Sequence, residues 1–440
     1  MKLGDYDILT FLPELAIKDF SIISDIKQNN PRGGILIRIV SLFLNGFNYV
    51  KLISFSRKDP IPEESILLFG QNSNEKAPFD RLFNNLTKEE AELLFHYGSN
   101  SYKNDFPYLQ IYLLSVLLIP YVLYHYTFEK DNFRLQGYKF GFDQLCLITS
   151  ALIILPKHLS KLNPLKIVIS NHNSPFHLLL VALSNKKNIR TTYIQHGLFH
   201  TRKFNFPIGL NEIFLDGFDS LYKLRRLYNI NSQIYILGSL FQSSQEKKIL
   251  DIKPENILGI CINQVDSVYT VSQLIIQFKY HFPEFSIKLR PHPSDTRYKF
   301  WNNFSKNHKV IISDTNSSIY DYLSQITFLI SGESNVHLMA LNSGVPSMYF
   351  NFTPGLFDDW YGFVKNQLLV DCTNFHNLIK FINNKPDNFN DKLKFYNHSI
   401  QSKYKNDVPS IIANILRNDN IKTYNFITHN SEFNIVTLKN

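Results

Sequence analysis

The feature that most restricts how this chain can fold is an alternation running from residue 145 to 350, in which short apolar stretches are each followed by a longer amphipathic one. Strands are expected over 165–170, 190–195, 212–216 and 234–237, with helices over 146–155, 175–185 and 220–228. After a polar interval the pattern resumes, with strands over 257–262, 285–289, 310–312, 327–330 and 347–350 and helices over 268–280, 296–304, 318–323 and 335–341. Strands and helices at this spacing form βαβ units, which build parallel sheets covered on both faces. At 440 residues the chain is too long for one ordinary core. The expected fold class is therefore α/β, with two doubly wound Rossmann-like domains facing a central cleft. Their bounds read as 1–241 and 257–405, with 242–256 as a linker and 406–440 as a C-terminal tail.

The first hundred residues are less regular. Strands are expected over 34–40 and 65–70, and a helix is expected to start at 86–90 with Thr87 as its N-cap. Residues 106–126 form the most apolar segment, 21 residues without an acid, lysine or arginine. Its two prolines, Gln110 and its tyrosines disfavour a uniform spanning helix and predict a buried or membrane-facing one. Net charge is +9 and the sequence pI about 9.1, which admits anionic substrates or a membrane surface. The basic residues are dispersed, so no nucleic-acid partner is expected. Cys146, Cys261 and Cys372 form no CxxC pair, which fits a reducing compartment. The N-terminus lacks the apolar core of a secretory signal, so the expected place is the cytoplasm, with peripheral contact at the inner face of the cell membrane left open.

The chemistry gathers where strands end. Arg290-Pro291-His292-Pro293 closes the strand at 285–289, and ligands of open α/β sheets bind outside the carboxyl ends of strands. An arginine and an imidazole there suit an anion, although the two prolines could be mere punctuation. Ser331-Gly332-Glu333-Ser334 follows a later strand and precedes a helix, offering free N–H groups and two hydroxyls; the plainer alternative makes Ser334 an N-cap and His337 a packed helix-face residue. In the first domain, Gln195-His196-Gly197 and Ser170-Asn171-His172-Asn173 stand at neighbouring strand ends. His196 is the candidate general base, since imidazole titrates near neutrality. His172, Asn173, Gln195 and Gly197 are expected to line the acceptor side. Walker A, GxGxxG and nucleophilic-serine motifs are absent, and no metal-ligand spacing is read.

Taken together, Arg290-Pro291-His292-Pro293, the Ser331–Ser334 turn and Tyr193-Ile194-Gln195-His196-Gly197 resemble bacterial surface-polysaccharide glycosyltransferases of GT-B architecture. The His-Pro pair is similar to that of sialyltransferase-like families that use CMP-activated sugars. The resemblance covers 165–350 and implies a transferase of capsule or lipopolysaccharide synthesis. It would move a sialic-acid-like or other ulosonic acid from a CMP-sugar to a hydroxyl of an oligosaccharide or lipid-linked glycan, with no cofactor beyond that donor. By the resemblance, Arg290 and His292, with Pro293, would bind the CMP phosphate. Ser331, Gly332 and Ser334 would support it, and Glu333 would lie near the ribose or base. A His-Pro pair is also similar to that of teichoic-acid polyol-phosphate transferases with CDP-linked donors. An NDP-hexose transferase and a non-catalytic polysaccharide-assembly protein of the same fold stay open.

Overall fold

The computed structural model describes residues 34–53, 61–95, 106–240, 256–384 and 390–417, a few single positions and short gaps within those spans excepted, together with short strands at 2–3, 6–7, 426–429 and 435–438. After the hairpin β1 (Lys2–Leu3) and β2 (Tyr6–Asp7), the first domain runs through α1 (Ile35–Ile53), β3 (Ile66–Gly70), α2 (Ser73–Phe83) and β4 (Ala91–Phe95). Helices α3 (Tyr108–Leu117), α4 (Ile119–Phe128) and α5 (Asn132–Leu162) follow. Regular alternation then sets in with β5 (Lys166–Ile169), α6 (Pro175–Lys186), β6 (Arg190–Ile194), β7 (Glu212–Leu215), α7 (Phe218–Leu227) and β8 (Gln233–Ile236).

The second domain comprises β9 (Ile257–Ile262), α8 (Val268–His281), β10 (Ser286–Pro291), α9 (Tyr298–His308), β11 (Ile311–Ile312) and α10 (Ile319–Leu323). It continues with β12 (Phe328–Ser331), α11 (Val336–Asn342), β13 (Ser347–Tyr349), β14 (Val370–Asp371) and α12 (Phe375–Asn383). Helices α13 (Asn390–Tyr396) and α14 (Val408–Arg417) and strands β15 (Phe426–His429) and β16 (Ile435–Leu438) complete the chain.

Two parallel sheets result. One is ordered β11-β10-β9-β12-β13-β14, the other β15-β16-β8-β7-β6-β5-β3-β4, with only the β15–β16 pair antiparallel. Strands such as β3 and β5 are buried at every residue, as continuous apolar runs between two helix layers must be. Among the parallel strands of each sheet the chain order reverses once, between β3 and β5 in the first and between β9 and β12 in the second. Such switch points open a crevice at the carboxyl ends of the strands.

Three expectations are corrected. Residues 34–40 belong to helix α1: Ile35, Ile39 and Leu42 recur at helical spacing toward the core. The helix expected at 86–90 does not form. Thr87 and Glu90 do exchange capping bonds, Thr87 N to Glu90 Oε2 at 2.7 Å and Glu90 N to Thr87 Oγ1 at 3.3 Å, but the following residues pair with β3 as β4. Local capping chemistry loses there to the burial gained beside a central strand. Residues 406–440 are no tail, because β16 pairs with β8 and α14 packs its buried face into the same core as Leu68 and Phe79. The segment after α13 makes the crossing back to the first domain. His398 N donates to Asp216 O (2.8 Å) and Ser239 N to Asn397 Oδ1 (3.1 Å). Gly217 is required at this crossing, since any Cβ would strike the backbone of Phe395 and Tyr396.

Candidate active site

The carboxyl edges of the two sheets meet. A Cβ on Gly197, just past β6, would lie 3.5 Å from Asn335 Nδ2, just past β12. Thr201 N donates to Trp360 O at 2.7 Å, and the His200 and Trp360 rings meet edge-on at 4.8 Å. Lys223 holds Asp219 (2.6 Å) and also donates to Tyr361 O (2.8 Å), joining α7 to the same loop of the second domain.

At the switch point of the first sheet, a buried polar cluster forms from residues far apart in sequence. Glu75, in the first turn of α2, accepts from Asn171 Nδ2 (2.7 Å) and pairs with His177 Nε2 (3.3 Å) of α6. Burial pushes the Glu75 carboxyl up, but the His177 charge and hydrogen bond, with help from His196 and Asn171, outweigh it and hold the pKa at about 2. His196 Nδ1 lies against the Ser170 carbonyl. A carbonyl can only accept, so Nδ1 carries the proton and Nε2 is left as the basic nitrogen. Burial lowers the His196 pKa, opposed by Glu75 and the Ser170 carbonyl, which favours the neutral, proton-accepting ring. Ser170 Oγ and His177 Nδ1 are buried beside this cluster with no hydrogen-bond partner among the described residues.

The other residues expected on this side have different duties. His172 is buried in an aromatic cage, its ring edge-on to Phe199 (4.8 Å) and its Nδ1 3.2 Å from Tyr193 OH, so it does not line the cleft. Gln195 is consumed as well: its Nε2 donates to Gly197 O (2.8 Å) and Ser220 Oγ (2.7 Å), while its Oε1 accepts from Asp216 N (2.9 Å). It is a brace between β6 and β7. Gly197 lies where the two sheet edges come together, opposite Asn335. Asn173 lies outside the described residues.

At the switch point of the second sheet, three strand-end loops are cross-tied. Arg297 donates to Asp295 Oδ2 (2.6 Å) and to Asn263 O (2.7 Å), and Asn263 Nδ2 donates to Glu333 O (3.0 Å). The expected phosphate ligand Arg290 is spent elsewhere. Its guanidinium donates to Ser313 Oγ, Asp314 O, Ser317 Oγ, Thr315 O and Ser317 O over 2.6–3.4 Å, on the side of Tyr322. A buried guanidinium with this many acceptors is a loop clamp. Ser331 donates its hydroxyl to Cys261 O (2.9 Å) inside the sheet, and Glu333 accepts from Tyr349 OH (2.8 Å), Trp360 N (2.7 Å) and Tyr361 N (3.4 Å). Neither is available to a ligand in the role expected of it. Ser334 Oγ accepts from Val336 N (3.3 Å) in the turn before α11, whose N-cap is Asn335, and α11 is too short for a strong macrodipole.

His292 and Pro293 remain exposed at the end of β10. Surrounding protein lowers the His292 pKa by desolvation, against the pull of Asp295. Gly332 is buried just past β12, where a Cβ would crowd Phe352 at 3.3 Å and come within 3.5 Å of Asp266 Oδ1, so it too offers no open cradle. His337 is a packing residue, buried between Ser347 Oγ (2.7 Å) and Gly332 O (2.9 Å), with burial taking its pKa down to about 4.

Sequence reasoning missed Glu75, His177, Asn335 and Asp266. Asn335 Oδ1 is buried without a hydrogen-bond partner among the described residues, at the contact with Gly197. Asp266 has its carboxyl pushed up to about 7 by burial, opposed by the Asn263 amide and Arg297, and strongly shifted carboxyls concentrate at functional sites. Asn335 was visible in the sequence as the residue closing the Ser-Gly-Glu-Ser turn. Nothing local marks Glu75, which reaches the cluster only through the fold. Among the described residues no three His, Cys, Asp or Glu side chains group as a metal would need.

No protein-family model and no curated protein matches the sequence. Solved structures do. The chain is similar to the UDP-N-acetylglucosamine 2-epimerase from Rickettsia bellii, with 12% identity over 82% of this chain and 98% of that one at a TM-score of 0.51. It is also similar to the UDP-GlcNAc 2-epimerase from Neisseria meningitidis bound to UDP-GlcNAc (13% identity, 81% and 100% covered, TM-score 0.49) and to MurG of Acinetobacter baumannii (9%, 81% and 100%, 0.47). At such identities the likeness speaks for the fold, which is GT-B: two Rossmann-like domains whose strand ends face one another.

Proposed function

We propose that this chain is a GT-B glycosyltransferase that takes a sugar from a nucleotide-activated donor held at the second sheet and passes it to an acceptor hydroxyl at the first. One observation carries this reading: His196, in the tautomer that leaves Nε2 basic, stands beside the Gly197–Asn335 meeting of the two switch-point edges. His196 Nε2 takes the hydroxyl proton, the acceptor oxygen bonds to the anomeric carbon, and the bond from that carbon to the donor phosphate breaks. The electron pair leaves with the nucleotide. His292 absorbs the charge that develops on its phosphate. The sugar-nucleotide enzyme named among the similar folds supports an activated sugar as ligand. The His-Pro stretch favours a cytidine nucleotide and a sialic-acid-like sugar within that class, destined for a surface polysaccharide.

Nucleotide-dependent thermal stabilisation tests this. A ligand bound by the native state alone raises the melting temperature. CMP should do so in the wild type and much less in His292→Ala, while Arg290→Lys, altering a loop clamp, should keep the CMP increment over its own lower baseline. A larger increment with UDP or GDP would keep the class of reaction and replace the donor. Absence of any increment with every nucleotide would sink the transferase reading in favour of a non-catalytic assembly protein.

A further inference from the structure

The first domain carries two apolar stripes that point away from its core. On α1, Leu36, Ile37, Val40, Phe43 and Leu44 recur at the spacing of one helix face and are exposed, Leu36 by 78%, while Leu42 on the opposite face is buried. On α3 and α4, Leu113, Leu117, Tyr121, Tyr124 and Phe128 form a second stripe that continues through the 50° bend between the helices, with Leu117 exposed by 74% and Phe128 by 67%. Tyr108, Ile111, Tyr112 and Val122 cover the core from the other side. Helix α1 packs on α3, and both lie on α5, so the two stripes are carried by adjoining helices. Single exposed apolar residues are ordinary in soluble proteins, but contiguous rows of large ones mark an interaction surface.

The charges on these helices select the occupant of the stripes. On α1, α3, α4 and α5, Arg38, Arg134, Lys139, Lys157 and Lys161 stand against the acid Asp143, which lies 3.9 Å from Arg38. Lys130, Lys139, Lys157 and Lys161 are exposed. Between α4 and α5, Glu129 and Asp131 both accept backbone N–H groups, Asp131 capping α5 at 2.9 Å. Apolar rows on a group of helices whose exposed charges are mostly lysines fit a bilayer interface that carries anionic headgroups. Helix α5 is long and apolar enough to cross a membrane, yet 56% of its most apolar window is buried and it packs on α1, α3, α4 and α6. It is the scaffold of these helices, and the stripes that they carry are the contact.

We infer that α1, α3 and α4 form a monotopic docking surface for a membrane bearing anionic lipid, which lies flat on these helices without being crossed by them. The inference does not rest on the proposed sugar transfer.

Flotation of the full chain with vesicles tests it, comparing phosphatidylcholine alone with phosphatidylcholine containing about one third phosphatidylglycerol. The expected result is flotation with the anionic vesicles, reduced by salt and falling about tenfold in Leu113→Glu/Leu117→Glu and in Leu36→Glu/Val40→Glu. Circular dichroism and melting temperature should match the wild type, because the replaced side chains are exposed. Should an apolar-stripe variant misfold, Lys157→Glu/Lys161→Glu supplies the same test, with several-fold weaker flotation expected. The inference is overturned if the wild type does not float, or if all folded variants float equally. It is likewise overturned if the wild type is a concentration-dependent dimer without lipid that the stripe variants dissolve, since a second copy would then cover the stripes.

Discussion

The carboxyl edges of the two sheets are alike in composition and opposite in use. At the second edge, Arg290, Ser331 and Glu333 give their polar groups to their own loops and to the loop at 358–361. At the first edge, His196 is fixed through one nitrogen only, above a buried Glu75–His177 pair, with Ser170 Oγ and His177 Nδ1 left without partners among the described residues. A parallel sheet sets out its strand ends in a row, but whether a polar side chain there is a brace or a reagent depends on how many of its hydrogen bonds the surrounding loops already supply. The second edge commits Arg290, Ser331 and Glu333 to holding its loops, and the first leaves His196 Nε2 without a hydrogen bond among the described residues.

Breaking the ready edge should give the largest effect. His196→Gln is expected to lower turnover by about 10²–10⁴-fold while leaving unfolding free energy nearly unchanged, as steady-state kinetics and urea denaturation will show. Next comes the brace: Arg290→Ala strands the acceptors of the 313–317 loop and should cost about 3 kcal/mol in urea unfolding. Nucleotide affinity per folded molecule should stay as it was.

Glu75→Gln sharpens the comparison through pH. Because the folded pKa of Glu75 is about 2 against an ordinary 4.5, its contribution is fully present above about pH 4.5 and is lost as pH falls toward 2. The variant should be less stable than the wild type by about 2 kcal/mol at pH 7, with the gap closing over that acid window in denaturant titrations. Loss of the Glu75 charge should also move the acid limb of the turnover profile to lower pH, because Glu75 raises the His196 pKa.

His292→Ala should weaken nucleotide binding about tenfold by calorimetry and leave the unliganded protein's stability unaltered. The smallest effect is expected at Asp266. Its folded pKa of about 7 against 3.8 means that stability is lost as pH rises from 3.8 through 7, so Asp266→Asn should gain about 1 kcal/mol at pH 8 and almost nothing at pH 4.

Much of the fold was legible because its signals are local. Strand 257–262 and helix 268–280 reappear almost residue for residue as β9 and α8, since a buried parallel strand must be an apolar run and Ser267 caps the helix that follows. The first hundred residues were not, because there tertiary packing overrides local preference: Thr87 and Glu90 make the bonds of a helix start and a strand follows. For the site, the strand ends were legible as positions and the duties of their side chains were not. Arg290 and His292 stand two residues apart, yet one meets the 313–317 loop and the other is exposed. Sequence shows neither loop. Glu75 could not be found at all, since the 96 positions separating it from Asn171 are closed only by the β3–β5 pairing.

The most direct measurement is the separation of donor affinity from turnover in His196→Gln, using whichever sugar nucleotide the wild type consumes. A base at the first edge predicts a Kd within about twofold of wild type and a kcat lower by about a hundredfold or more. Retained kcat, or a Kd that weakens in step with kcat, would contradict it and move the chemistry to another residue of the cleft.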